Sequence, residues 1–436
     1  MPAPELVGAI GIVALLLFIL VGVPIAVSSA VVGFVGCWSL MGFTPALGVM
    51  YTIPIAKVAT YSLSVIPLFI LMGVFALHGG IGKELYDACI KWLGRLPGGL
   101  AMATTAANGL FGACSGSSLA ATATFTKLAL PEMNRYNYDK RLSVGAIAAS
   151  GSMAAMIPPS GMMVIFCTFS DVSLGKILVG GVIPGILSVI IYMASIYIRA
   201  RRNPSLGPPI NEKISWKERL LSLRHLLTAA FTFIVLLGGI YLGFFSPTEG
   251  GATGAFVIFL IVLVRGRFTK KNFIESLLET VSTSAMIFFI IIGAMVFAQF
   301  LAVSQLPVYF VNYVEGSALP GSLMVIMILL IYIFLGTFLD AVAMMALSLP
   351  IVFPMIEVLG INGIWFGIMV IKMTEVALIT PPLGLNVYVV KGLAPAEIKL
   401  EDIFMGIMPF LLMDILTLAV IFTFPSVVMW LPNTMR

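Results

Sequence analysis

The chain has 436 residues, of which 60% are hydrophobic and only 10% are charged. A soluble domain usually carries about 25% charged residues, so this composition excludes a water-soluble fold. The formal charge of +5 would suggest nucleic acid as a partner of a soluble protein, but in a membrane protein it reflects topology, and no nucleic-acid binding is expected.

Apolar runs that can cross a bilayer begin at residues 6–20 and recur along the whole chain. Backbone groups in lipid must be satisfied within their own segment, so runs of this kind predict helices and not the short alternating strands of a barrel. The first run continues through Pro24 into another apolar segment, which favours a retained span over a cleaved signal. We expect an all-α polytopic membrane protein.

The first repeat is predicted at 1–200. Within it, residues from about 99 to 130 are interrupted at their middle by Cys114-Ser-Gly-Ser-Ser118, which predicts a re-entrant hairpin of two helical arms. The alternative is an ordinary helix whose small residues allow close packing. The next helix, about 142–170, should break at Pro158 and Pro159, because proline removes a backbone donor and clashes with the preceding turn.

A basic connector, residues 201–225, divides the chain. Its cations are Arg201, Arg202, Lys213, Lys217, Arg219 and Arg224. The positive-inside rule places this connector in the cytoplasm. Counting spans outward from it then predicts that both termini are periplasmic, provided that each half contains one re-entrant hairpin.

The second repeat is predicted at 226–436, with a hairpin at about 323–353 and a broken helix at about 363–391. Pro131, Pro158, Pro159 and Gly161 recur as Pro354, Pro381, Pro382 and Gly384, each 223 positions later. The chain therefore reads as a duplication whose halves have inverted topology. Inverted repeats are typical of secondary transporters, which bind their cargo near the bilayer midplane.

Each half thus combines a hairpin tip with a broken helix, and the polar groups there suit a dehydrated cation. The predicted Na⁺-binding residues are Ser115, Gly116, Ser117, Ser118, Gly151, Ser152, Gly336, Thr337, Asp340, Thr374, Thr380 and Asn386. The alternative for each one is a helix cap or an interhelical hydrogen bond. Two or more Na⁺ sites are expected, with no transition-metal site and no organic cofactor.

The freed helix N-termini at the breaks favour an anion. The predicted substrate-binding residues are Pro158, Pro159, Ser160, Lys372, Glu375, Pro381, Pro382 and Gly384. Ionisable groups at membrane depth are costly and need a partner. For Asp340 that partner is either a bound Na⁺ or Lys372, and the alternative role of these charged groups is a structural ion pair.

No phosphate-binding loop, no dinucleotide fingerprint and no Ser-His-Asp arrangement is recognisable in the sequence. We therefore expect a transporter and not an enzyme, with its energy supplied by an ion gradient.

Four motifs carry a resemblance to a known family: residues 112–118, 157–161, 336–340 and 380–384. In this order they resemble the large membrane subunit of tripartite ATP-independent periplasmic (TRAP) transporters, the DctM-like family, over essentially the whole chain. The resemblance implies Na⁺-driven import of an organic anion, a carboxylate or sulfonate, by an elevator movement. It also implies a bacterial inner-membrane location, a small four-helix membrane subunit (DctQ-like) and a periplasmic substrate-binding protein (DctP-like).

Two alternatives remain at this stage. One is a stand-alone Na⁺/dicarboxylate or citrate symporter of the divalent-anion type, which shares inverted repeats, hairpins and cation sites; dependence on partner proteins distinguishes the two. The other is an intramembrane enzyme or a channel. The enzyme would need a catalytic pair on facing helices, and a channel would not need a duplicated, twice-broken design.

Overall fold

A computed structural model describes residues 3–212, 214–316 and 319–435. Lys213 of the basic connector and the terminal Arg436 lie outside the described residues. Within those ranges the chain forms helices and connecting turns, with no β-strand. The predicted all-α membrane fold is confirmed.

Twenty-two α-helices follow one another along the described chain. The first half contains α1 (Pro4–Leu20), α2 (Ile25–Met41), α3 (Phe43–Val58), α4 (Val65–His78), α5 (Ile81–Leu93), α6 (Gly99–Ser115), α7 (Ser118–Arg135), α8 (Lys140–Ser152), α9 (Gly161–Ser170), α10 (Leu174–Gly180) and α11 (Val182–Arg202). The second half contains α12 (Trp216–Phe233), α13 (Gly239–Tyr241), α14 (Pro247–Val264), α15 (Lys270–Val303), α16 (Leu306–Gly316), α17 (Gly321–Gly336), α18 (Ala341–Val358), α19 (Gly363–Ile379), α20 (Leu385–Leu393), α21 (Leu400–Thr423) and α22 (Ser426–Thr434). A π-helical segment, Ile234–Gly238, joins α12 to α13.

Seven helical segments of the described chain are long and apolar enough to cross a membrane. They are Tyr61–His78, Leu174–Arg202, Trp216–Tyr241, Pro247–Val264, Lys270–Val303, Ala341–Val358 and Leu400–Thr423. Shorter apolar helices, such as α1, α2 and α17, accompany them. The chain is therefore a multi-pass membrane protein.

Side-chain caps explain where several of these helices begin. Ser117 accepts a hydrogen bond from the Ala120 amide at the start of α7, and Asp139 accepts one from Leu142 at the start of α8. Ser215 and Glu218 form a reciprocal capping box on α12. These side chains satisfy amide groups that a helix N-terminus leaves without partners.

The interruptions expected from the sequence coincide with helix ends. The segment 99–130 corresponds to α6 and α7, and the segment 323–353 to α17 and α18. α7 and α18 begin at 118 and 341 and end at 135 and 358, so both ends differ by 223 positions. The segments 142–170 and 363–391 are likewise split, into α8 with α9 and α19 with α20, and both proline pairs have cis peptide bonds.

Glycines allow the closest approach between the two halves. A Cβ atom on Gly145 of α8 would lie 2.2 Å from the carbonyl oxygen of Gly406 on α21. A Cβ atom on Gly293 of α15 would lie 2.2 Å from the carbonyl oxygen of Ala26 on α2. Since side chains cannot fit at such distances, glycine lets these helix pairs meet backbone to backbone.

Candidate cation site and buried ion cluster

The first hairpin tip lies against the first proline break. α6 ends at Ser115, and Gly116 adopts a left-handed φ of 58° that turns the chain into α7. A Cβ atom on Gly116 would lie 2.5 Å from the carbonyl oxygen of Pro159. The tip and the break therefore touch through their backbones, and only glycine fits at this position.

The end of α8 packs against α7 in the same region. The Ser118 hydroxyl donates to the Ser152 carbonyl at 3.5 Å. A Cβ atom on Gly151 would lie 2.0 Å from the Thr122 hydroxyl oxygen. The structure thus brings the predicted residues of the tip and of α8 together, and it adds Thr122 to them.

Four fully buried side-chain oxygens in this region have no hydrogen-bond partner among the described residues. They are Asn108 Oδ1, Ser115 Oγ, Thr122 Oγ1 and Asn386 Oδ1. Buried polar atoms are normally paired, so each of these oxygens needs an explanation.

Three of these oxygens belong to residues that contact the end of α8, namely Asn108, Thr122 and Asn386. Asn108 donates from Nδ2 to Ser150 Oγ at 2.7 Å, and Asn386 donates from Nδ2 to the Ala148 carbonyl at 3.3 Å. Each amide nitrogen is therefore engaged while its oxygen is left free. Neutral oxygens without protein donors are the ligand type that hard cations take. The residues present fit a bound alkali cation.

Asn386 links the two halves at this point. Its sequence position groups it with the second hairpin, but it lies at the start of α20 with its amide against α8 of the first half. The sequence gives no indication of this crossing.

The second hairpin tip is arranged differently. A Cβ atom on Gly336 would lie 2.4 Å from Ala377 Cβ, so the tip meets α19 closely. The Thr337 hydroxyl donates to the Phe334 carbonyl at 2.7 Å. Asp340 caps α18, since its Oδ1 accepts from the amides of Val342 at 2.9 Å and Ala343 at 3.0 Å.

The other two predicted threonines of this half, Thr374 and Thr380, donate to carbonyls of α19. Thr374 donates to the Ile371 carbonyl and Thr380 to the Val376 carbonyl, both at 2.6 Å. Their hydroxyl oxygens keep lone pairs that can still accept or ligate. Among the predicted Na⁺-binding residues of the second half, Asn386 alone has a buried side-chain oxygen without a hydrogen-bond partner in the described part of the chain.

Lys372 and Glu375 form a buried ion cluster with a residue that the sequence analysis did not select. Lys372 Nζ lies 2.5 Å from Glu375 Oε2 and 2.8 Å from Asp414 Oδ1 on α21. Its third donor reaches Ser188 Oγ at 3.2 Å, which occupies all three ammonium donors. The side chains of all three ionisable residues are 0% exposed.

The suggested pairing of Asp340 with Lys372 is wrong. The carboxylate of Asp340 binds backbone amides at the start of α18, while the ammonium of Lys372 is fully used by Glu375, Asp414 and Ser188. The predicted roles of Lys372 and Glu375 in substrate binding stay predictions. In this structure their charged groups contact each other, and Lys372 also contacts Asp414 and Ser188.

The two proline breaks differ in exposure. Residues 151–160 are all buried, and Ser160 caps α9 by accepting from the Met162 amide at 3.2 Å. In the second break Pro382 is exposed, and Leu383 is 40% exposed. Gly384 begins α20 with a φ of 50° and no side-chain cap. The first break is therefore closed and the second is partly open.

Sequence reasoning missed several residues of these clusters. Asp414 had a usable signal, because it is a lone carboxylate between apolar residues of a membrane segment. Asn108 and Thr122 had none, since other polar residues in α6 and α7 look equivalent in the sequence. Tyr192, which donates to Asp414 Oδ1 at 2.7 Å, reads as an ordinary aromatic residue of a span.

Comparisons with known proteins identify relatives of this chain. One curated relative, the C4-dicarboxylate TRAP transporter large permease protein DctM of Pseudomonas aeruginosa, is 34% identical over 86% of this chain and 86% of its own. The isethionate TRAP transporter permease protein DctMQ of Oleidesulfovibrio alaskensis is 29% identical over 95% of this chain and 64% of its own.

Among solved structures, the crystal structure of the Alcanivorax borkumensis YdaH transporter covers 98% of both chains with a TM-score of 0.62. At 15% sequence identity this likeness concerns the fold alone. The family model described as "Tripartite ATP-independent periplasmic transporter, DctM component" matches residues 12–427. Because that match covers nearly the whole chain, the protein belongs to the DctM family, the large permease components of TRAP transporters.

Proposed function

We propose that this large permease component imports a small organic anion, a carboxylate or a sulfonate, by coupling it to Na⁺. The observation that carries the coupling is the set of four buried, unpartnered oxygens on Asn108, Ser115, Thr122 and Asn386. A bound cation would satisfy them, and their neutrality favours Na⁺ over a proton, which needs a basic or acidic side chain to reside on.

The anion would be recognised at the helix breaks. Lys372 has no free donor, so it can bind the substrate only by giving up one of its contacts with Ser188, Glu375 or Asp414. The remaining positive potential comes from the N-termini of α9 and α20, which begin at the two breaks. The relatives named for C4-dicarboxylate and isethionate support a carboxylate or sulfonate as the substrate class.

The chain would act with two partners in the bacterial inner membrane: a small four-helix subunit and a periplasmic protein that delivers the anion. The tripartite family description supports this, and so does the DctMQ relative, of which this chain covers only 64%. Membership of the DctM family excludes the alternative that the chain belongs to a family of divalent-anion symporters. The close contacts of the first tip with its helix break and of the second tip with α19 support a transport domain that moves as one body, as an elevator movement requires.

Uptake into proteoliposomes tests the proposal. Thermal-shift screening of the purified binding protein against carboxylates and sulfonates first identifies a probe. The complete transporter should then accumulate that probe under an inward Na⁺ gradient and not under an H⁺ gradient alone. Undiminished uptake driven by H⁺ without Na⁺ would contradict Na⁺ coupling, and equal uptake by this chain alone would contradict the partner requirement.

A further inference from the structure

A cavity of about 730 Å³ with several charged lining residues lies apart from the hairpins and the breaks. Its walls come from the end of α4, the outer face of α5, the first turns of α12 and the loop between α14 and α15. Lining residues include His78, Lys83, Lys91, Ser222, His225 and Arg267.

The ends of several candidate spans place this cavity at the membrane surface. His78 is the last residue of the span Tyr61–His78, and Thr269 immediately precedes the span Lys270–Val303. Gly266 lies two residues beyond the end of Pro247–Val264. The cavity therefore sits where lipid headgroups lie, on the side that the positive-inside rule makes cytoplasmic.

Glu84 is the buried carboxylate of the cavity wall, and cations already neutralise it. Arg265 bonds its Oε2, Arg267 lies 2.8 Å from Oε1, and His225 lies 3.2 Å from Oε2. Arg267 also donates to the Gly79 carbonyl at 3.1 Å, which fixes its guanidinium at the cavity. Glu84 thus organises the basic groups without presenting a free negative charge.

Two further cations at the cavity, Lys83 and Lys91, interact electrostatically with Asp87 but form no close ion pair with it. Neither Lys83 nor Lys91 has an ion-pair or hydrogen-bond partner among the described residues, although Asp87 lies between them on α5. Lys83, Lys91, Arg265 and Arg267 outnumber the three carboxylates at the cavity, which are Glu84, Asp87 and Glu279, the last lying 3.3 Å from the lining residue His78. The N-terminus of α5 also opens here, since Gly80 provides no side-chain cap.

The surroundings suit a lipid. Leu221, beside the lining residue Ser222, is 55% exposed, and Trp92, beside Lys91, is 36% exposed. Exposed apolar residues next to a basic pocket offer a path for acyl chains, and tryptophan is typical of the membrane interface.

We propose that this cavity is a binding site for the phosphate group of an anionic membrane lipid, held by Lys83, Lys91 and Arg267. Phosphate is the group that lysine, arginine and a helix N-terminus recognise together. The site is separate from the transported anion, which would bind at the helix breaks.

The test uses the full purified chain and needs no transport activity. The thermal unfolding midpoint is measured in detergent with added phosphatidylglycerol, with phosphatidylcholine, or with inorganic phosphate. Phosphatidylglycerol should raise the midpoint in a saturable way, and phosphatidylcholine should not. Protection by phosphatidylglycerol alone assigns the site to a lipid, whereas equal protection by inorganic phosphate assigns the same phosphate site to a soluble compound.

Paired variants locate the effect. Each lysine near an anionic headgroup adds to the binding free energy of the lipid. Because K83Q/K91Q removes two such lysines, it should weaken the apparent affinity for phosphatidylglycerol about 30-fold. The matched control is K217Q/K271Q, which removes two exposed lysines that do not line the cavity. If both lipids raise the unfolding midpoint of the wild-type protein equally and inorganic phosphate does not raise it, the proposal is overturned by the wild-type data alone. Unchanged phosphatidylglycerol affinity in K83Q/K91Q also overturns it.

Discussion

The hydroxyl of Tyr192 donates a buried hydrogen bond of 2.7 Å to Asp414 Oδ1, joining a helix of the first half to a helix of the second. Asp414 also accepts from Lys372, whose ammonium serves Glu375 and Ser188 as well. The cluster therefore has one cation for two carboxylates. Removing the cation should therefore lower the free energy of unfolding much more than removing one carboxylate.

Replacing Lys372 with methionine should destabilise the protein far more than replacing Asp414 with asparagine. K372M leaves two buried carboxylates without a cation, and breaking a buried pair in this way costs about 3–5 kcal/mol. D414N leaves the pair of Lys372 with Glu375 intact and keeps an oxygen for Tyr192, so about 1–3 kcal/mol is expected. The midpoint of thermal unfolding in detergent gives the ranking.

Glu401→Gln is the matched control for this ranking, because Glu401 is an exposed carboxylate in the first turn of the helix that carries Asp414. Its midpoint should stay close to that of the wild-type protein. Equal losses in K372M and D414N would mean that the charge balance of the cluster does not set its stability.

The helix interruptions were predictable from the sequence, but the partners across them were not. Each proline pair imposes a break for a local reason, since proline removes a backbone donor and clashes with the preceding turn. Tyr192 and Asp414 are 222 positions apart, so only the packing of α11 against α21 reveals their contact. The wrong pairing of Asp340 with Lys372 has the same origin: both are costly charges at membrane depth, and the sequence does not say which charges meet.

The candidate cation site shows a second limit of sequence-based prediction. Thr122, Thr124 and Thr126 lie on one helix and look alike in the sequence. Thr124 and Thr126 donate to carbonyls of their own helix at 2.7 Å, whereas Thr122 has no partner for its hydroxyl. Hydrogen-bond satisfaction, which distinguishes a ligand from a packing residue, appears only when the helix neighbours are known.

Replacing Gly151 with alanine should loosen the contact between α7 and α8. The added Cβ would lie 2.0 Å from the Thr122 hydroxyl, and overpacking of this kind typically costs about 1–3 kcal/mol. Gly161→Ala is the control, because a Cβ there meets nothing within 4 Å. Thermal unfolding should show a lower midpoint for G151A and an unchanged or higher one for G161A. Equal midpoints would contradict the close packing of α8 on α7.

Replacing Asp340 should separate its capping role from its proposed cation role. Asparagine still caps a helix, so D340N should fold normally, whereas D340A should lose about 0.5–2 kcal/mol. D340N keeps the helix cap and loses only the charge. If that charge helps to hold Na⁺, D340N should raise the Na⁺ concentration that gives half-maximal uptake by the complete transporter.

Asn362→Ala provides the matched control for this experiment. Asn362 caps α19 through the amides of Ile364 and Trp365, in the same way as Asp340 caps α18. N362A should lower the unfolding midpoint without changing the Na⁺ response. An unchanged Na⁺ response in D340N would leave Asp340 as a helix cap only. Because Lys372 does not contact Asp340, removing Lys372 should not rescue any D340A defect.

Cysteine labelling tests the predicted topology. Ser205 and Asn433 are exposed and lie in the connector and near the C-terminus, respectively. In a C167A background, which removes the one cysteine that is not buried, a membrane-impermeant maleimide should label N433C in spheroplasts and S205C only after permeabilisation. Labelling of both from the same side would contradict the inverted arrangement of the two halves.

Replacing Thr122 with valine tests the cation site directly. Valine keeps the shape of threonine and removes an oxygen that has no hydrogen-bond partner among the described residues, so T122V should not lower the unfolding midpoint in the absence of Na⁺. Adding NaCl, compared with choline chloride at equal ionic strength, should raise the midpoint of the wild-type protein, because a ligand that binds only the folded state stabilises it. That Na⁺-dependent rise should shrink or vanish in T122V. Thr126→Val is the control: its hydroxyl donates to the Thr122 carbonyl at 2.7 Å, so T126V should lose some stability and keep the Na⁺ response. A full Na⁺ response in T122V would show that the unpartnered oxygen of Thr122 is not a cation ligand.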